Sequence, residues 1–282
     1  MRETWDDSEI AQKRWSPQQF LRGLPPLSRW VFISTVVLFI GQLALGKLAL
    51  TPERYDSLIR TFGLVPTDVL SRQLCLWQLV TYMFLHSLDN WLHIIFNMFV
   101  FVMFAPEVER AMGAKRFGIL YFGSGIVAAL VSCVALMFSR TPIIGASGAI
   151  LGVLAAYGSL FPNRILRFLL VFPMKAKHFV LLIAALEMLA VFMGNQDGIA
   201  SITHLGGFAA GILYMKYEWT LRSAMLRTVD RHYDRARESD RQIRARVDQI
   251  LAKVNREGIK SLTWRERTFL KRAGKRFKKQ HS

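Results

Sequence analysis

The feature that most constrains this chain is a series of long apolar runs without charge. Residues 30–46 are 17 uncharged residues held between Arg29 and Lys47, and residues 117–139 carry no charge at all. A helix of 17 residues reaches ~26 Å at ~1.5 Å per residue, close to the ~30 Å hydrocarbon core of a bilayer. The chain is 52% hydrophobic, a share that soluble domains also reach, so the uninterrupted runs decide the class. Six stretches qualify as membrane helices: 30–46, 79–104, 117–139, 147–161, 178–193 and 202–215. Asp89 interrupts the early part of the second, whose outer portion therefore reads as a loop or a wet helix end. The connection over 48–76, with Pro52 and Pro66, is too long for a tight turn.

Six spans put both termini on one side. With the termini inside, the cytoplasmic segments before the tail hold 12 Lys/Arg and the outer segments 5, so the positive-inside rule favours cytoplasmic termini. The formal net charge is +17, and residues 216–282 hold 20 Lys/Arg against 8 Asp/Glu. Beside a membrane domain, such a basic tail points to anionic lipid and not to nucleic acid. The tail reads as a charged helix over 217–246 that continues to a stop at Gly258. A second helix then opens with the capping-box pair Thr263 and Glu266. Residues 1–28 form a polar tail with a short amphipathic helix around 10–21, and they lack the form of a secretory signal peptide. Cys75 and Cys133 have no ligand company, so neither a disulfide framework nor a metal site is expected. The expected fold is an all-α membrane protein. It has an N-terminal tail (1–28), a six-helix bundle (29–217) and a small cytoplasmic helical C-terminal extension (218–282).

Chemistry enters at residues 142–158, PIIGASGAILGVLAAYG. Ser147 lies in a Gly-Ala-Ser-Gly turn after Pro142 and Gly145, where a helix is expected to start. Unpaired N–H groups and the helix dipole there favour an oxyanion. A serine in a small-residue seam is more often a packing residue. His204 weights the balance. Topology places it at a depth similar to Ser147, and two pairs of glycines, Gly148/Gly152 and Gly207/Gly211, allow the fourth and sixth helices to approach closely. An imidazole within reach could take the serine proton and return it to a leaving amine. His93 and Asn97 share one face of the second helix at i, i+4. They read either as oxyanion donors, worth ~3–4 kcal/mol each, or as a polar pair between helices. No acid has an obvious place beside His204. Glu187 lies deep in the fifth helix and reads as a structural hydrogen bonder or a neutral acid, and Asp197 lies in the outer loop. A two-residue dyad is therefore the simpler arrangement. His86 reads as a surface histidine.

Taken together these blocks resemble the rhomboid family of intramembrane serine proteases. The similarity runs over about residues 62–216. It includes Phe62-Gly63-Leu64-Val65-Pro66, Phe84-Leu85-His86, His93-x-x-x-Asn97 and Glu107-Val108-Glu109-Arg110 with Gly113. It continues through Gly145-Ala146-Ser147-Gly148 and His204-Leu205-Gly206-Gly207. The resemblance implies a six-helix core and a dyad of Ser147 (nucleophile) and His204 (general base and acid). His93 and Asn97 would assist the oxyanion with the Ser147 N–H. It further implies membrane-protein substrates cleaved in or near their transmembrane segments, no metal and no cofactor. A bacterial inner membrane is the expected setting. The sequence departs from the family at Leu151, where members often carry an aromatic residue beside the histidine.

Two rival readings remain. A non-proteolytic adaptor would bind client transmembrane helices without needing Ser147 or His204. A transporter would use the polar mid-membrane residues, but no internal repeat is evident.

Overall fold

The computed structural model describes residues 17–71, 74–168, 172–193 and 197–280. It divides into two compact units, Met1–Lys216 and Tyr217–Ser282. The first unit is built almost entirely of helices: α1 (Pro17–Gly23), α2 (Pro26–Ala44), α3 (Pro52–Phe62), α4 (Pro66–Leu70), α5 (Gln78–Thr81), α6 (Trp91–Met112), α7 (Ala114–Ala135), α8 (Ser147–Leu160), α9 (Ala176–Met193) and the start of α10 (Asp197–Glu257). A π-helical turn, Leu45–Ala49, extends α2. Among the described residues, four helices are long and apolar enough to cross a membrane: Pro26–Ala49, Trp91–Met112, Ala114–Ala135 and Ala176–Met193.

The all-α expectation needs one correction. Strands β1 (Ile165–Phe168) and β2 (Phe172–Lys175) pair antiparallel between α8 and α9, with Ile165 opposite Lys175 and Phe168 opposite Phe172. Most of the expected amphipathic helix around 10–21 falls on residues outside the described ones, and α1 covers its end.

The second expected span is shifted along the chain, its start from 79 to 91 and its end from 104 to 112. Residues 79–90 form α5, a 3-10 turn and a loop, and the long helix begins at Trp91. It then runs through Pro106, Glu107 and Glu109 to Met112. These charges are tolerated because each has a partner. Glu107 pairs with Arg164 at 2.7 Å. Glu109, buried within the bundle, accepts from the Leu27 N–H (3.0 Å), the Ser28 N–H (2.7 Å) and the Ser28 hydroxyl (2.6 Å). Leu27 and Ser28 lie in the first turn of α2, whose N–H groups have no partner within the helix. Pro26 opens that helix, where its missing N–H costs nothing. The helix α6 ends at Gly113 with φ +84°, the left-handed stop that glycine adopts freely.

At 14 residues α8 spans only ~21 Å, short of a bilayer core. It packs against α6, α7 and α9, and every residue from Gly148 to Gly158 is buried. A helix enclosed on all sides needs no lipid-facing stripe, which explains its uniform apolarity. Aromatic rings fix its lower half: Tyr157 meets Phe104 edge-on, with centroids 4.8 Å apart. The peripheral helices turn apolar side chains such as Phe96, Leu181 and Phe192 outward, as lipid contact requires.

In the second unit α10 ends before Gly258, at φ +82°. The next helix, α11 (Trp264–Gln280), opens on the reciprocal bonds of a capping box: Glu266 accepts from the Thr263 N–H at 2.8 Å, and Thr263 Oγ1 accepts from the Glu266 N–H at 3.3 Å. Lys253 pairs with Glu266 at 3.2 Å across the turn, and Ile250 and Ala273 supply the small buried contact.

The Glu109 network generates a stability prediction. Glu109→Ala leaves a buried N–H group, a partly buried one and a hydroxyl without their acceptor. It should cost roughly 3 kcal/mol, read as a lowered midpoint of unfolding in detergent micelles, whereas Glu107→Ala at the exposed pair should cost under about 1 kcal/mol.

Candidate active site

The serine is positioned by the chain that leads into α8. Leu64, from the Phe62–Pro66 block, forms a two-way backbone bridge with Ile143: the N–H of each donates to the carbonyl of the other, at 2.9 and 2.8 Å. The Gly145 N–H then donates to the Tyr82 carbonyl at 2.9 Å. Gly145 has φ +124°, and a Cβ there would stand 2.7 Å from Nε2 of His93. Only glycine fits both the backbone and the space. The helix starts at Ser147 itself, so its first N–H groups, Ser147 among them, have no intrahelical acceptor.

The histidine arrives on α10 through contact of glycine on glycine. A Cβ on Gly207 would run into the Gly148 carbonyl, and one on Gly211 into that of Gly152. The two backbones therefore touch at two successive turns, as the i, i+4 glycine spacing predicts. A hydroxyl pair, Ser132 to Thr203 at 2.6 Å, ties α10 to α7 just beside the seam. The result is a contact of 2.7 Å between His204 Nε2 and Ser147 Oγ. A hydroxyl and an imidazole at this distance can pass a proton directly.

The remaining residues fall around this pair. His93 lies against Gly145, two residues before the helix start. Asn97 is buried, and its amide donates to the His93 carbonyl one turn back at 2.8 Å, which leaves the second N–H of its NH₂ group for another acceptor. His86 is fully buried and not a surface histidine. It lies 5.1 Å from His93 between ring centroids, and neither of its ring nitrogens has a well-aligned hydrogen-bond partner among the described residues. The loop that carries it folds inward because Gln42 holds the His86 backbone at both ends: Gln42 Oε1 accepts from the His86 N–H at 3.1 Å, and its Nε2 donates to the His86 carbonyl at 3.2 Å. Gln78 plays a similar part for Val65, whose N–H it accepts at 2.9 Å. Both glutamines escaped the sequence reading. Gln42 left a signal, as the one side-chain amide in the run 30–46.

Glu187 also differs from expectation. Its carboxylate is not remote from the histidine: Oε1 lies 2.9 Å from Nδ1 of His204. The carboxylate stands off the line of the ring N–H, so the contact is a close approach and not an aligned hydrogen bond.

Residues 73–220 match the rhomboid domain family. The match covers more than half of the chain, and the chain belongs to the rhomboid family. It is a membrane protein of mostly helical fold. Residues 227–276 match a second family, of unknown function, DUF6576. Similar relatives include "Putative rhomboid protease YdcA" of Bacillus subtilis, 31% identical over 139 residues, which is 49% of this chain and 64% of the relative. RHOMBOID-like protein 5 of Arabidopsis thaliana is 30% identical over 182 residues, 59% of this chain and 54% of the relative. Rhomboid-like protease 3 of Toxoplasma gondii is 27% identical over 191 residues, 67% of each. The chain thus spans about half to two thirds of the length of these relatives.

The glycine seam carries a direct prediction. Gly207→Val should push α8 and α10 apart and break the 2.7 Å contact of His204 with Ser147. The rate of labelling by a fluorophosphonate probe should drop by about 10²-fold, the scale set by a ~1 Å misplacement. Gly123→Ala on α7, where an added Cβ meets nothing within 4 Å, should label like the parent.

Proposed function

We propose that this chain is an intramembrane serine endopeptidase that hydrolyses peptide bonds in or near the transmembrane segments of membrane proteins. The observation that carries the reading is the 2.7 Å contact between His204 Nε2 and Ser147 Oγ, made at the first residue of an enclosed helix. In this reading Ser147 is the nucleophile and His204 the general base and acid. Neutral His204 accepts the Ser147 proton at Nε2 as Oγ attacks the scissile carbonyl carbon. The carbonyl oxygen becomes an oxyanion, met by the Ser147 N–H and by donors from His93 and Asn97. Collapse breaks the C–N bond, and the Nε2 proton goes to the departing amine. A water then repeats the sequence on the acyl ester, giving its proton to His204 and freeing Ser147.

The setting follows from the same reading. Six helices (α2, α6, α7, α8, α9 and the first part of α10) form the membrane core, with both termini in the cytoplasm of a bacterium and the protein in its inner membrane. Because α8 is too short to span, Ser147 lies below the outer membrane surface. A substrate helix must unwind at its outer end to present a carbonyl there, so helix-weakening residues in the substrate favour cleavage. The basic segment 218–282 is a cytoplasmic extension that meets anionic lipid.

Reconstitution in liposomes with a single-span substrate tests this. The parent should cut, and Ser147→Ala and His204→Ala should fall to background. Asn97→Ala should lose about 10²–10³-fold in kcat, as for one oxyanion donor. If Ser147→Ala cuts like the parent, Ser147 is not the nucleophile and the reading fails; if no cleavage of any single-span protein is detected while client helices still bind, the chain is a non-proteolytic adaptor.

A further inference from the structure

The dyad leaves one ionisable group beside the histidine without a task. On α9, Ala176, Val180, Ile183 and Glu187 recur at helical spacing along one stripe. Ala176 and Val180 are buried in the core, and Ile183 packs against it. The flanking residues Leu181, Leu186, Met188 and Leu189 are exposed, as lipid-facing side chains are. Glu187 therefore sits on the inward stripe, and a carboxylate within a membrane helix needs a partner to offset its cost. Its partner is His204: Oε1 stands 2.9 Å from Nδ1, on the side of the ring opposite the Nε2 contact with Ser147.

We infer that Glu187 is the positioning residue of the site, its carboxylate holding the proton of neutral His204 on Nδ1 so that the Nε2 lone pair faces Ser147. The inference rests on the reading of Ser147 and His204 as nucleophile and base. A neutral imidazole carries one proton, and its tautomer is set by the group at the other nitrogen. With the proton on Nε2, His204 would be a donor to Ser147 and could not accept its proton. When His204 takes that proton, the ring becomes an imidazolium with Glu187 as its counter-ion. Glu187 stays ionised throughout, and no proton passes to it. The off-line approach at rest is consistent with this role, because hydrogen bonds of such sites tighten when substrate binds. Three helices, α8, α10 and α9, thus each contribute one member of a Ser–His–Glu triad.

The test uses the full-length protein in detergent or liposomes. Glu187→Gln keeps size and packing and removes the charge, and Glu187→Asp keeps the charge and shortens the reach. Fluorophosphonate labelling rate, kcat and KM on a single-span substrate, and the unfolding midpoint are measured for each. With folding intact, Gln should lower kcat and labelling rate together by about tenfold to 10²-fold, at unchanged KM. Asp should recover part of both. A merely structural role predicts a shifted midpoint or KM with no such split. Parent-like labelling by Glu187→Gln, or Asp no faster than Gln with both folded, overturns the inference. If Gln lowers the midpoint, Asp at a parent-like midpoint decides it alone: slower than the parent but labelled supports it, and equal to the parent opposes it. A parent that fails to label, or a Ser147→Ala variant that labels equally, overturns the reading beneath it and not this step.

Discussion

The backbone contact between α8 and α10 is the constraint on which the rest depends. In a bilayer the hydrophobic effect does not hold helices together, because lipid tails are as apolar as leucine. Close packing must supply the attraction, and it does so best where no side chain stands between backbones. Gly148 and Gly152 meet Gly207 and Gly211 in that way. The approach that stabilises the pair of helices also sets the distance from His204 to Ser147. Packing and chemistry are not separate properties of the stretch 142–158. One set of glycines serves both, and a methyl group at Gly207 would disturb the two together.

Around that seam, the polar groups inside the bundle each have a task of position. Glu109 binds the first turn of α2, Gln42 draws the His86 loop inward, and Gln78 fixes the strand-like segment that bridges to Ile143. Each satisfies backbone groups that have no partner within a regular helix, where water is scarce and an unpaired group is costly. Their combined effect is to hold an irregular stretch, residues 142–146, at the mouth of an enclosed helix. The irregular stretch frees the N–H groups of α8 to face a ligand, and Gly145 makes room for the His93 ring.

Much of this was legible in the sequence, and most of the failures have a common cause. Ser147, His204 and the glycine pairs could be read because small residues at i, i+4 have one physical meaning in an apolar helix. The capping box at Thr263 and the stop at Gly258 could be read because they are local. Contacts between residues far apart in the chain could not. Pro106 and Glu109 looked like the end of a span, since the partner of Glu109 lies 81 residues upstream. His86 looked exposed, since Gln42, which buries its loop, lies 44 residues away. Glu187 was misjudged for a different reason. In a soluble helix the apolar face shows which side is inward, but α9 is apolar on every side, so its inward stripe leaves no pattern. Only the buried positions Ala176 and Val180 reveal it.

The account's central claim is that Ser147 is a nucleophile made reactive by His204. The most direct measurement is peptide mapping by mass spectrometry of the folded, membrane-reconstituted protein after reaction with a fluorophosphonate. The account predicts one phosphonyl adduct, on Ser147, that disappears when the protein is unfolded before labelling or when His204 is replaced by alanine. An adduct on another residue, or an unmodified Ser147 in protein that remains folded, would contradict it.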